Sequence, residues 1–231
     1  GRESAAPAPP PNIVLITIDT LRADRIGRGF TPAIDALAST GVRFDQARTT
    51  VPLTLPAHVS IMTGQLPVAH GVRENGVVYA PQASAPTLAR RLRDAGYRPG
   101  AFVGAYVLDR RFGLADGFDT YDDRVRREPG EGARLEAERP GGEVVDAAVA
   151  WVNQTPSHFF LWVHLYDPHA PYEPPAGYPE KAGGNAYDGE VAYADAQVGR
   201  LVESLRARGV LASTAIVVTG DHGEGLGEHG E

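Results

Sequence analysis

Polar side chains that can bind a metal or move a proton follow three apolar, β-branched runs of this sequence. Asp19 follows the first run, Asp167 and His169 follow the second, and Asp221 with His222 follows the third. Runs of this kind are typical of buried parallel strands. Because the carboxyl ends of parallel strands share one rim of an open α/β sheet, we expect these side chains to lie close together.

A fourth candidate, Thr54, lies in a proline-flanked segment just ahead of a predicted helix. Pro52 and Pro56 favour an extended backbone up to Leu55, and Pro56 is compatible with the first turn of a helix that runs to Gly64. A helix N-terminus favours negative charge, either an alkoxide on the threonine or an anionic substrate beside it. A simple helix-capping role for Thr54 is the alternative.

Together these side chains form a mixed oxygen and nitrogen donor set from four separated segments, in which Asp221 and His222 are typical of metal ligands. Such a set suits Zn²⁺ or Mn²⁺ best, with Ca²⁺ and Mg²⁺ as alternatives. A bound metal also answers a chemical difficulty, because a threonine hydroxyl is a poor nucleophile until coordination lowers its pKa. The alternative for Asp221 and His222 is a helix-capping aspartate followed by a surface histidine.

The elements predicted around these residues alternate between strand and helix. Strands are expected at 12–18, 42–47, 101–104, 159–165 and 215–218, and helices at 32–39, 56–64, 86–95, 142–154 and 188–208. The charged, glycine-rich segment 109–139 is predicted to be mostly loop. This alternation predicts an α/β fold, a three-layer α/β/α sandwich with a mostly parallel central sheet.

Composition limits the classes of protein that this chain can represent. A length of 231 residues suits one domain, and a net charge of -7 gives no electrostatic reason to expect nucleic acid or an anionic membrane as partner. The absence of cysteine excludes disulfides and thiolate metal sites. No stretch approaches eighteen consecutive apolar residues, so we predict no transmembrane segment.

Two regions with different roles are predicted along the chain. Residues 1–11 are rich in proline and alanine, and we interpret them as a linker or the remnant of a processed leader. This interpretation places the protein outside the cytoplasm, in the periplasm or secreted, with a lipoprotein as one form. Residues 12–231 form the predicted catalytic domain, which we expect to be incomplete at its C-terminus because the motif at 220–224 should open onto more chain.

Six motifs, in order along the chain, resemble the sulfatase family of the alkaline phosphatase superfamily. They cover residues 18–24, 31–38, 54–64, 70–72, 167–172 and 220–224. The resemblance implies an alkaline-phosphatase-like fold and a metal-dependent hydrolase or transferase. It also implies that Asp19, Asp221 and His222 bind the metal, and that Thr54 is the nucleophile and touches the same ion.

The resemblance extends to residues that would contact the substrate. Asn75 aligns with a residue that contacts a phosphoryl oxygen in related phosphodiesterases, and its alternative is a turn residue before Gly76. His169 resembles the histidine that touches the transferred group or protonates the leaving oxygen, and its alternative is a loop histidine held by prolines. His58 and His229 complete the predicted substrate-binding set, with a second metal or a surface turn equally open for His229.

Departures from the sulfatase pattern shift the expected chemistry from sulfur to phosphorus. Sulfatases carry Cys or Ser, oxidised to formylglycine, where Thr54 stands, and Arg where His58 stands; threonine cannot form that aldehyde. Thr54, Thr20 and the Asp221–His222 pair instead resemble phosphodiesterases and the phosphoethanolamine and glycerophosphate transferases of cell envelopes.

We therefore predict a reaction at phosphate mono- or diesters or phosphonates through a covalent phosphothreonine. The substrate is expected to be a small molecule or an envelope-associated ester. The alternatives are a sulfuric ester hydrolase that works without formylglycine and a non-catalytic domain that retains the fold.

Overall fold

The centre of the molecule is a parallel sheet of five strands in the order β3-β2-β4-β1-β5. This computed structural model describes residues 10–82, 84–125, 135, 137–156, 158–228 and 230. The strands are β1 (Asn12–Ile18), β2 (Arg98–Val103), β3 (Thr120–Asp122), β4 (Phe159–Leu165) and β5 (Thr214–Gly220). The predicted fold class, a three-layer α/β/α sandwich, is confirmed.

Helices cover both faces of the sheet. They are α1 (Pro32–Thr40), α2 (Thr54–Thr63), α3 (Pro67–His70), α4 (Leu88–Asp94), α5 (Gly141–Gln154), α6 (Tyr178–Lys181) and α7 (Ala186–Ala207). Short 3-10 turns occupy Ala23–Arg25, Tyr106–Leu108, Arg110–Phe112 and Leu211–Ser213. No helix in the described part of the chain is both long and apolar enough to cross a bilayer.

Each face of the sheet has its own apolar core, because successive strand residues point to opposite sides. On one face Leu15 and Trp162 pack with Leu55 and Val59 of α2. On the other face side chains of β1 and β4 pack against α5, α7 and Ile34 of α1. Helix α2 is therefore fixed on one face of the central strands, which brings its first turn to their carboxyl ends.

The central strands end at the same level, as the sequence pattern predicts for a shared rim. Ile18 at the end of β1 is in register with Leu165 of β4 on one side and with Gly220 of β5 on the other. The residues that follow these strands therefore emerge side by side.

One predicted strand is wrong and one observed strand was not predicted. Residues 42–47 form turns and coil, and the side chains of Val42 and Phe44 are each 78% exposed. The alternating apolar residues there have no partner strand within the described residues, and a strand without a ladder is not stable. The short strand β3 lies inside the segment that was predicted to be mostly loop.

A buried glutamate of α7 holds the loop that carries His169. Glu190 is 5% exposed, and its Oε1 accepts a hydrogen bond from the Glu173 backbone N–H at 2.9 Å. Burial, with a further contribution from the charge of Asp167, raises the pKa of Glu190 to about 8. The folded state therefore retains this proton at pH values where the unfolded chain releases it.

Substituting Glu190→Gln is expected to stabilise the protein increasingly as the pH rises above about 4.5. Because the folded pKa lies above the unfolded value, wild-type stability is greatest below pH 4.5 and falls as the pH rises towards 8. Gln removes this loss, so at pH 8.5 we expect a gain on the order of 3 kcal/mol in the free energy of unfolding, and less than about 1 kcal/mol near pH 5. Urea unfolding at both pH values measures the difference.

Glu203→Gln is the matched control, because Glu203 is an exposed residue of the same helix that pairs with Arg206. It should change stability little at either pH. A Glu190→Gln variant that is less stable than wild type at pH 8.5 would contradict the burial argument.

Candidate metal centre and nucleophile

Four side chains from distant parts of the sequence meet at the carboxyl rim of the sheet. The Thr54 hydroxyl donates to Asp19 Oδ2 at 3.1 Å. His222 Nε2 lies 3.6 Å from Asp19 Oδ1 and 3.7 Å from Asp221 Oδ2. Asp19, Thr54 and Asp221 are at most 3% exposed. The structure thus brings together all four residues that the sequence analysis predicted as metal ligands.

The donor atoms at this point fit a divalent cation. Asp19 Oδ1, Asp221 Oδ2 and His222 Nε2 are buried and have no hydrogen-bond partner among the described residues. Burying polar atoms without partners is costly, so three that converge on one point indicate a position where a cation can bind. Ligands held tetrahedrally at about 2.1 Å from one ion lie about 3.4 Å apart, close to the separations observed here.

Backbone contacts leave one oxygen of Asp221 free for such an ion. Its Oδ1 accepts from the backbone N–H of Thr20 at 3.2 Å and of His222 at 2.8 Å. Thr20 has a left-handed backbone with φ of 51°, which is strained for a β-branched residue. The Tyr187 hydroxyl donates to the Thr20 carbonyl at 2.7 Å and helps to hold this conformation.

The tautomer of His222 suits metal binding. Its Nδ1 lies 2.9 Å from the carbonyl of Gly223, which can only accept, so Nδ1 carries the proton. The lone pair of a neutral ring is then on Nε2, the atom that faces Asp19 and Asp221. A second bond that fixes the tautomer in this way is the usual arrangement of a metal-binding histidine.

Burial changes the acidity of both carboxyl groups. It raises the pKa of Asp19 to about 6 and, together with the charge of Asp19, raises the pKa of Asp221 to about 6. Two carboxylates so close together repel one another, and a cation between them would favour the charged form of both. The electrostatics and the orphaned atoms therefore point to the same positively charged ligand.

Thr54 is the first residue of α2, and its side chain does not cap the helix. Leu53 occupies the N-cap position, and its side chain makes no capping hydrogen bond. The amide oxygen of Asn75 instead accepts from the Leu55 N–H at 3.0 Å, which leaves the Asn75 NH₂ group unused by that bond. Asn75 therefore lies beside the first turn of α2 and contacts it from a turn of its own before Gly76, while the alternative of a capping threonine does not describe these contacts.

His169 lies in the loop after β4 and stacks on an aromatic ring. Its imidazole is 4.4 Å from the Tyr166 ring, centroid to centroid, with the two planes 16° apart. Nδ1 lies 2.7 Å from the Ala170 carbonyl, so it carries a proton and donates to that oxygen. Nε2 is the nitrogen left to meet a ligand.

His58 is placed behind Thr54 rather than in an open pocket. It is 0% exposed, and both nitrogens contact protein oxygens, Nδ1 with the Thr54 carbonyl at 2.7 Å and Nε2 with Thr17 Oγ1 at 2.9 Å. The prediction that His58 contacts substrate does not agree with this placement, because no surface of the ring is accessible. His229, the other histidine of that set, lies outside the described residues.

His164 is a site residue that the sequence analysis did not single out. It is 0% exposed, its Nε2 is 3.3 Å from Asp19 Oδ2, and its ring meets the His58 ring edge-on. Burial lowers the pKa of both His58 and His164 to about 3, so both rings are neutral at pH 7. The available signal was a single polar residue inside the apolar run of β4, on the same side as Trp162.

A second trio of possible donors shares Asp221 with the first. One nitrogen each of His58 and His164 and one oxygen of Asp221 lie within 4.8 Å of one another. Because both nitrogens of His58 already contact protein oxygens, we assign the metal position to Asp19, Asp221 and His222.

The chain belongs to the sulfatase family, because the family model described as Sulfatase matches residues 11–231. Among curated relatives, the arylsulfatase of Clostridium perfringens is 25% identical over 95% of this chain and 64% of its own length. The choline-sulfatase of Rhizobium meliloti is 40% identical over a shorter stretch, 38% of this chain and 18% of its own.

Solved structures share the fold at lower identity. The phosphonate monoester hydrolase of Agrobacterium radiobacter superposes with a TM-score of 0.77 and 21% identity, over 96% of this chain and 64% of that one. The lipoteichoic acid synthase LtaP of Listeria monocytogenes gives a TM-score of 0.71 and 19% identity, over 95% and 58%. This chain thus spans less than two thirds of the length of these relatives.

Proposed function

We propose that this chain carries the catalytic site of a metal-dependent hydrolase or transferase that acts on phosphate esters or phosphonates through Thr54. The observation that carries the proposal is the convergence of the Thr54 hydroxyl with the free atoms of Asp19, Asp221 and His222. A nucleophile beside a divalent-ion site at a helix N-terminus suits transfer of an anionic group.

The metal ligands and Thr54 have separate roles in the proposed reaction. A divalent ion held by Asp19, Asp221 and His222 would lower the pKa of the Thr54 hydroxyl and polarise the ester. Thr54 Oγ1 attacks phosphorus in line, a bond to the threonine oxygen forms, and the bond to the leaving alcohol breaks. Asp19 Oδ2, to which the Thr54 hydroxyl already donates, takes up the hydroxyl proton as the bond to phosphorus forms.

Two further side chains meet the reacting group. The NH₂ group of Asn75, whose oxygen is held by Leu55 N–H, donates to a phosphoryl oxygen as negative charge develops there. His169, as the imidazolium with its Nδ1–H engaged by the Ala170 carbonyl, protonates the leaving oxygen from Nε2–H. Water or an acceptor alcohol then gives a proton to His169 Nε2 and attacks the phosphothreonine, and the released Thr54 oxygen regains its proton from Asp19, which completes hydrolysis or transfer.

A sulfuric ester hydrolase without formylglycine is the second candidate. Its support is the naming of the curated relatives, which include an arylsulfatase and a choline-sulfatase. Phosphorus ranks first because a threonine cannot become the aldehyde on which formylglycine chemistry depends. Zn²⁺ and Mn²⁺ rank ahead of Ca²⁺ and Mg²⁺, because the donors include an imidazole nitrogen.

Turnover of a matched panel of esters tests the proposal. Purified protein is supplied with each divalent metal in turn and assayed on aryl esters that share one leaving group and differ in the phosphate monoester, phosphodiester, phosphonate or sulfate part. We expect turnover of at least one phosphorus ester and formation of a phosphate adduct on Thr54 by peptide mass spectrometry. Turnover of the sulfate ester alone would reverse the ranking.

The proposed setting for this chemistry is outside the cytoplasm, with a small molecule or an envelope component as the ester. Cell fractionation with antibodies to the native protein tests this location, and recovery in the cytoplasmic fraction would contradict it.

A further inference from the structure

Three buried side chains form a chain of hydrogen bonds, here called the relay, that ends at the first turn of α2. Trp162 Nε1–H donates to Thr17 Oγ1 at 3.0 Å, Thr17 Oγ1 lies 2.9 Å from His58 Nε2, and His58 Nδ1 lies 2.7 Å from the Thr54 carbonyl. Thr17, His58 and Trp162 are each 0% exposed, so no solvent can replace these contacts.

The chemistry of the end groups fixes the direction of every bond. The Thr54 carbonyl can only accept, so His58 Nδ1 carries the proton and donates to it. In a neutral ring Nε2 then has the lone pair, and the Thr17 hydroxyl must donate to it. The Thr17 oxygen in turn accepts from Trp162. The relay therefore runs in one direction, from Trp162 to Thr54, with every donor and acceptor used.

The relay connects the nucleophile to the strand that carries Asp19. Thr17 lies in β1, and Asp19 is the first residue after this strand, where its backbone N–H donates to the Leu165 carbonyl of β4 at 2.8 Å. Trp162 lies on the neighbouring strand β4, where Leu15 is its partner in register. The relay thus connects the backbone of Thr54 to β1 and β4. The same two strands set the position of Asp19, whose carboxylate accepts the hydrogen bond of the Thr54 hydroxyl.

We propose that His58 is a positioning residue, which acts with Thr17 and Trp162 to fix the first turn of α2 so that Thr54 Oγ1 keeps its place beside Asp19. This inference rests on the proposed role of Thr54 as nucleophile. It assigns His58 no contact with substrate. A misplacement of the nucleophile by about 1 Å can lower turnover about a hundredfold, so a buried relay of this kind affects the rate without changing any group that reacts.

The tautomer of His58 gives a test that needs no substrate. Long-range ¹H–¹⁵N correlation of histidine-labelled protein distinguishes the Nδ1–H from the Nε2–H tautomer. The chain has only seven histidines, so comparison with His58→Asn assigns the signal. We expect the Nδ1–H form for His58. An Nε2–H tautomer would overturn the relay, whatever ester the protein proves to use.

Kinetics of Thr17 variants test the effect on the nucleophile. Thr17→Val keeps the shape of the side chain but removes the hydroxyl, and Thr17→Ser restores the hydroxyl. On whichever ester wild type turns over best, we expect Thr17→Val to lower kcat about tenfold or more with KM unchanged, and Thr17→Ser to recover most of the loss.

Thr155→Val is the matched control, because Thr155 is a buried threonine at the end of α5 whose hydroxyl donates to the Trp151 carbonyl at 2.8 Å. It should lower the melting temperature while leaving kcat at the wild-type value. Equal kcat values for Thr17→Val, Thr17→Ser and wild type would overturn the positioning role. If wild type proved inactive on every ester, the proposed function would fail while the tautomer measurement would still decide the relay.

Discussion

Thr54→Ala is expected to abolish turnover while the fold stays intact. The substitution removes one buried hydroxyl, whose hydrogen bond to Asp19 Oδ2 is 3.1 Å long, and leaves the helix backbone unchanged. Loss of a covalent nucleophile lowers the rate by far more than loss of an ordinary contact, so we expect kcat to fall at least about a thousandfold. Steady-state kinetics on the best ester measure the loss, and circular dichroism checks the fold.

Thr63→Ala is the control for this variant, since Thr63 is the last residue of the same helix and its hydroxyl donates to the Val59 carbonyl. It should retain wild-type turnover. Residual activity of Thr54→Ala within tenfold of wild type would exclude Thr54 as the nucleophile and favour direct attack by water.

Asp221→Asn is expected to abolish tight metal binding. The amide keeps the shape of the side chain and an oxygen that can accept from the Thr20 and His222 backbone N–H groups, but it removes the negative charge that faces His222 Nε2. Changes to residues that only support a metal ligand already lower affinity about 10- to 100-fold, so loss of a ligand charge should lower it at least about a hundredfold. Titration calorimetry with Zn²⁺ and Mn²⁺ measures the affinity directly.

Asp195→Asn provides a closely matched control. Asp195 is likewise buried, and its carboxylate accepts from the backbone N–H groups of Ala33 and Ile34 at the start of α1. This variant should be less stable than wild type but should bind metal with unchanged affinity. Equal loss of metal affinity in both variants would show that Asp221 acts through general stability rather than as a ligand.

Much of the sheet could be predicted from the sequence because buried parallel strands have a continuous apolar pattern. The runs that end before Asp19 and Asp221 are unambiguous, and the prediction that their ends share a rim follows from geometry alone. The same reasoning predicted a strand at 42–47, and that prediction is wrong. Its alternating apolar residues satisfy the local pattern, but whether such a segment forms a strand depends on a partner that local sequence does not reveal.

The positions of His58 and His164, the buried histidines behind the site, could not be predicted in the same way. His58 was identified from its place in a motif, but its orientation depends on contacts with Thr17 and Trp162, which are distant in the sequence. His164 sits inside an apolar strand, where a single polar residue gives no indication of what it faces. Residues that hold a site from within the core are recognised only once strand order and register are known.

The hydrogen bond from Thr20 to Asp221 joins positions 201 residues apart, and this separation has a consequence for biosynthesis. The ribosome delivers the chain from its N-terminus at about 5–20 residues per second, so Asp19 and Thr54 emerge long before their partners on the far side of the site. No nascent chain that stops short of β5 can hold the ion with all its donors. Uptake of a cation at the proposed site is therefore expected to follow translation of β5, and it would join two parts of the polypeptide that lie far apart in the sequence.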